Sequence, residues 1–93
     1  MRVEKIDLIA YLVKDGESEV GYVKPVHDAC KFLNTGDIIE IEYHEFEVEY
    51  KKMHIPSGVV HIVVAHDIDD TGGLENTMGI FEKMGFTKIP EID

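Results

Sequence analysis

The stretch DIIEIEYHEFEVEYKKM, residues 37–53, restricts the fold more than any other part of the chain. Ile39, Ile41 and Tyr43 alternate with Glu40 and Glu42. After His44 and Glu45 the phase slips by one, and Phe46, Val48 and Tyr50 alternate with Glu45, Glu47 and Glu49. A period of two belongs to a strand with one buried and one solvated face, and a slip inside it requires a turn or a bulge. VVHIVVAH (59–66) is apolar toward both faces, the pattern of a central strand.

The remaining segments fit around these strands. Residues 3–13 read as a strand that leaves through KDGESE, and VGYVK (20–24) as a second. Pro25 suits a first helical turn, and Val26, Ala29, Cys30 and Leu33 recur at helical spacing, which predicts a short helix over 25–34 ended by NTG (34–36). IPSG (55–58) is a turn. Leu74, Met78 and Phe81, flanked by Thr77, Ile80 and Met84, predict a second helix from about residue 73. Gly85 stands at its C-terminal cap, and Phe86 is placed to pack back on Phe81. TKI closes the fold as a short strand before PEID. Short turns between strands imply a mostly antiparallel sheet of about five to six strands covered by two helices, an α+β fold in a single domain over 1–93.

Composition narrows the function classes. Ninety-three residues with 44% hydrophobic content can build one core. The single cysteine, Cys30, allows neither an intrachain disulfide nor a cysteine-rich zinc site, which suits the cytoplasm. MRVEKIDLIAYLV places charges inside its apolar pattern, unlike a signal peptide or a membrane span. Nineteen acidic residues against nine basic ones give a net charge of −10. A nucleic-acid backbone or an anionic membrane needs a basic face, so neither is an expected partner, whereas cations and basic proteins are favoured.

The acidic residues concentrate at AHDIDDTGG, where Asp67, Asp69 and Asp70 end the most apolar run. IVVAHDIDDT resembles the first motif of the haloacid-dehalogenase phosphatases, which would make Asp67 a nucleophile and Asp69 a general acid. That motif needs a later lysine and acidic pair on further strand–helix units, and only 22 residues follow Thr71. Asp67, Asp69, Thr71 and Gly72 also resemble the opening of an EF-hand loop, with Glu75 at the ninth loop position. The twelfth position is Met78 rather than a bidentate glutamate, so any calcium bound would be held weakly. The third reading is structural: Asp70 or Thr71 caps the helix, and Asp69 and Glu75 favour its dipole. Capping leaves the mutual repulsion of three close carboxylates unexplained, and a cation would relieve it.

Glu40, Glu42, Glu45, Glu47 and Glu49 are expected to line a sheet face, either simply solvated or offered to cations or a basic partner. Among the histidines, His61 and His66 are five apart on one strand and face opposite sides. His66 with Asp67 and a distant His54 or His44 is the remaining zinc combination. VVHIVVAHDIDDTGGLENTMGIFEKMGFTKI resembles the first strand and helix of a vicinal-oxygen-chelate module, in which His61 would ligate a metal, although that module's later strands have no counterpart here.

IEIEYHEFEVEYKK, AHDIDDTGG and the bias toward lysine, glutamate and isoleucine are similar to a small hyper-acidic protein family of methanogenic archaea. The resemblance implies calcium binding through surface acids, no known catalysis and a cytoplasmic setting. The expectation is therefore a small acidic protein that binds a divalent cation, Ca²⁺, through Asp67, Asp69 and Asp70 with Thr71 or Glu75 in support. The alternative is an acidic interaction module with no specific metal site. A metal-dependent enzyme of the vicinal-oxygen-chelate type ranks third. The two-sided apolar strand also leaves room for a homodimer.

Overall fold

The computed structural model describes residues 5–90, so the first two residues of the strand read over 3–13 and the final EID lie outside the described residues. The chain forms β1 (Lys5–Lys14), β2 (Glu17–Pro25), β3 (Ile38–Ile41), β4 (His44–His54), β5 (Val59–Asp67), α1 (Leu74–Lys83) and β6 (Thr87–Lys88). The six strands make one sheet in the order β3-β4-β5-β1-β2-β6. All neighbours are antiparallel except β1 and β5, the parallel pair at the centre.

The expectation of two covering helices is overturned. The architecture is broadly α+β, but α1 is the one α-helix among the described residues. In place of the helix predicted over 25–34, Pro25 ends β2 and the Val26 N–H extends the ladder to the Ile6 carbonyl at 3.1 Å. A 3-10 turn, Asp28–Phe32, follows, capped by the His27 imidazole. Val26, Cys30 and Leu33 are partly buried against the core although no α-helix aligns them. The connection 26–37 must pass from β2 to β3, four strand spacings or roughly 19 Å across the sheet. A ten-residue α-helix advances only about 15 Å. A short 3-10 turn with extended flanks reaches further, and Asp, Cys, Phe and Asn oppose it with little helix propensity.

The glutamate-rich stretch departs from one regular strand at two places, of which the first makes the phase slip. The first is a two-residue hairpin turn, with Ile41 opposite His44 and Glu42 and Tyr43 at φ 47° and 75°. Left-handed residues at both positions match the twist of the flanking strands. An even-numbered turn places Ile39 and Ile41 on the same face as Phe46 and Val48. The second is a bulge: Val48 pairs with Val64 and Tyr50 with Val63, so Glu49 is the extra residue. The bulge moves Tyr50 to the face opposite Val48.

The core lies on one face of the sheet. Ile6, Leu8, Ala10 and Leu12 of β1, Val60, Ile62 and Val64 of β5, and Phe46 and Val48 of β4 are buried there with Tyr22, Ile68, Phe81, Met84 and Phe86. α1 covers this face at the end of β5, with Phe81 fitted among Tyr22, Phe46, His66 and Phe86 at ring-centroid distances of 5.0–5.8 Å. Its ending is the one the sequence predicts. Gly85 takes φ 92°, the Phe86 N–H donates to the Phe81 carbonyl and the Gly85 N–H to that of Glu82, both at 3.1 Å. No described helix is long and apolar enough to cross a membrane.

Candidate functional site

The acidic turn is built where β5 runs out. Ile68 is buried and anchors the chain while Asp67, Asp69 and Asp70 remain exposed. Asp67 has extended backbone, and its Oδ1 accepts the Asp69 N–H at 2.9 Å, capping the 3-10 turn Ile68–Thr71. Gly72 and Gly73, at φ 81° and 100°, then redirect the chain into α1. Glu75 is exposed in the first helical turn, where a carboxylate favours the dipole.

Thr71 faces inward, away from the carboxylates. Its hydroxyl lies 3.0 Å from His66 Nε2 and 2.5 Å from Thr77 Oγ1. Thr77 is fully buried and donates to the Gly73 carbonyl at 2.7 Å, while Asn76 Nδ2 donates to the Thr71 carbonyl. His66 packs edge-on to Phe46 and tilted against Phe81. Desolvation there pulls its pKa below the usual histidine value; His44 adds to the effect, and Asp70 and Asp67 oppose it. The imidazole is therefore neutral near pH 7 and shares the proton network of two threonine hydroxyls.

The five residues expected to ligate a cation thus divide. Asp67 is engaged as a cap, Thr71 is turned into the corner, and Asp69, Asp70 and Glu75 point carboxylates toward solvent from separate positions. Among the described residues, no three His, Cys, Asp or Glu side chains are grouped so that they could hold a metal ion. The arrangement fits a capped corner better than a single chelating centre. Thr77 and His66 complete the corner, where the sequence pattern alone marks Thr77 as a helix flank and His66 as a zinc candidate. The signal available was a threonine facing the core stripe, which must find a hydrogen-bond partner when buried.

The other histidines pair differently from the expected zinc combination. His54 Nε2 lies 3.3 Å from His61 Nδ1. Desolvation first, and then His54, lower the His61 pKa, while Asp7 raises it. Asp7, opposite His61 in the parallel register, is buried; one carboxylate oxygen lies 3.5 Å from Lys5 Nζ and the other has no partner among the described residues.

The sheet face opposite α1 carries the second candidate. Tyr11, Val13, Tyr50, Val63 and Ala65 line an open groove of about 460 Å³ edged by Glu49, Gly16 and Ser18. Tyr11 is 37% and Tyr50 48% exposed. The expected glutamate stripe reaches this face in part: Glu45 and Glu47 alternate with the buried Phe46 and Val48, Glu40 stands opposite Glu45, and Glu42 occupies the hairpin turn. Strand period alone would have buried Tyr50 with Val48; the bulge at Glu49 brings it out beside Tyr11. Compared with known proteins, the chain matches no protein-family model, no curated protein and no solved structure.

Proposed function

We propose that this chain is an acidic interaction module whose sheet face opposite α1 receives a partner segment bearing both apolar and basic side chains. The observation that carries this reading is the groove in which Tyr11 and Tyr50 stand exposed beside Val13, Val63 and Ala65. Apolar side chains of a partner would lose water against the tyrosine rings, and its lysines or arginines would meet Glu45, Glu47 and Glu49. A net charge of −10 would speed encounter with such a segment, more so at low ionic strength.

The test is an amide chemical-shift titration with an extended peptide of alternating lysine and valine, compared with oligolysine of equal charge. Shifts at residues 11, 13, 50, 63 and 65, weakened about tenfold or more by Tyr50→Thr, are expected. Equal binding of oligolysine, spread over all acidic residues, overturns the reading. A parallel Ca²⁺ titration has a distinct signature: saturating shifts confined to residues 66–75 and lost in Asp69→Asn would return the function to the acidic turn. Sedimentation at increasing concentration reveals whether a second copy of the chain occupies the face instead.

A further inference from the structure

On the core side of the sheet, α1 packs near the His66 end of β5, and a separate cavity opens at the Val60 end. It measures about 300 Å³ and is lined by Lys31, Phe32, Lys51, Met53 and Val60. Val60 is buried and forms the floor; Met53 and Phe32, 45% and 74% exposed, leave large apolar surface at its walls. Lys51 Nζ donates to the Lys31 carbonyl at 3.0 Å, and Lys31 Nζ lies 5.2 Å from the centre of the Phe32 ring. Both lysines thus line the cavity and make a contact at its rim.

The charge of this lining is opposite to that of the molecule. Acidic residues outnumber basic ones nineteen to nine, yet the lining holds two lysines and no carboxylate. Charges beyond about 8 Å are largely screened at physiological ionic strength, so the two lining lysines weigh more in the local potential than the distant acidic residues. An apolar floor beneath two ammonium groups is complementary to a small amphipathic anion. The volume, at the low end for small-molecule sites, limits it to a short acyl chain or a single ring. We propose that this cavity binds a small organic carboxylate, with its apolar part against Phe32, Met53 and Val60 and its carboxylate between Lys31 and Lys51. The site lies on the opposite side of the sheet from the tyrosine groove, so neither proposal depends on the other.

The experiment is an amide-shift titration with three eight-carbon probes: octanoate, octanol and octylammonium. Octanoate is expected to shift residues 31, 32, 51, 53 and 60 saturably and to bind more tightly than octanol. Octylammonium is expected to bind most weakly, the reverse of the order that net charge alone would give. Shortening octanoate to hexanoate weakens binding by up to about fourfold per methylene removed. Lys51→Met, and separately Lys31→Gln on the exposed turn, each weaken octanoate by about fivefold while leaving octanol unchanged. Equal or tighter binding of octylammonium, octanoate shifts centred on residues 11, 50 and 63, or octanoate affinity unchanged in both lysine variants overturns the proposal.

Discussion

Lys24 Nζ lies 2.6 Å from the carbonyl oxygen of Met84, so a side chain from β2 closes the C-terminal end of α1. The last carbonyls of a helix lack internal partners and carry the negative end of its dipole, and an ammonium group satisfies both. Gly85 adjoins this contact at φ 92°, and a Cβ placed there would come within 2.7 Å of Lys24 Nζ. Lys24→Met is expected to destabilise the fold by about 1 kcal/mol. Gly85→Ala should cost about 1–2 kcal/mol from left-handed strain, and it should also displace the ammonium group. The double variant therefore falls short of the sum of the two, which denaturant unfolding of all four proteins measures.

Tyr22 is fully buried, and its hydroxyl donates to Glu82 Oε2 at 3.0 Å. Desolvation, the hydrogen bond and the Glu82 charge together push its pKa up to about 12. A tyrosine in the unfolded chain ionises near pH 10, so the folded state holds this proton longer. The stability it contributes is whole below pH 10 and declines as pH rises through 12. Tyr22→Phe should lower stability by about 1 kcal/mol at neutral pH and flatten that alkaline decline, as read from unfolding midpoints across the pH range.

His66 gives the opposite slope on the acid side. Its depressed pKa means that the unfolded chain takes up this proton first as pH falls below about 6.5. Stability from keeping the ring neutral among Phe46 and Phe81 is present above that pH and is lost as pH falls through the folded value. His66→Gln should reduce the acid sensitivity. Asp70→Asn removes a charge that favours the imidazolium, so the His66 ring resonances should titrate at lower pH than in the parent.

The two roles of the acidic turn separate by mutation. Asp67→Ala removes the cap on the Asp69 N–H and is expected to cost about 1 kcal/mol. Asp69→Asn removes only an exposed charge from a crowded acidic turn and should stay within about 0.5 kcal/mol of the parent. Equal losses in both would mean that the carboxylates act together, as ligands of one ion would, and thermal unfolding with and without Ca²⁺ distinguishes the cases.

Thr77→Val tests the buried corner beneath that turn. The substitution keeps the volume but removes one hydrogen bond each from the Gly73 carbonyl, which keeps the Thr77 N–H, and from the Thr71 hydroxyl, which keeps His66. A loss of about 1–2 kcal/mol is expected, measured by chemical denaturation, with amide exchange quickened at residues 71–77.

Much of the local structure was legible in the residues. Period-two alternation located the strands around Phe46 and Val48, and the apolar run at 59–66 marked a central strand. Gly85 followed by Phe86 marked the helix ending. These signals are local because burial of one face must repeat with the period of the backbone. The expected cap at Asp70 or Thr71 was not found: Asp67 caps the 3-10 turn, and α1 begins after Gly73 with no side-chain cap. The direction in which Thr71 points was not legible, because it depends on His66 and Thr77 meeting in a corner that only packing creates.

The amino-acid sequence by itself determined which residues alternate, where glycines turn the chain, and that the molecule is strongly acidic. The tertiary structure decided that β1 and β5 lie parallel, that residues 28–32 cross the sheet as a 3-10 turn instead of a helix, and that a bulge at Glu49 brings Tyr50 beside Tyr11. It also brought the Lys51 ammonium to the Lys31 carbonyl, and Lys24 to Met84 across 60 positions of chain. Such outcomes are set by how the main apolar face closes against α1 and how strand edges find partners, a condition on the whole chain that no short window contains.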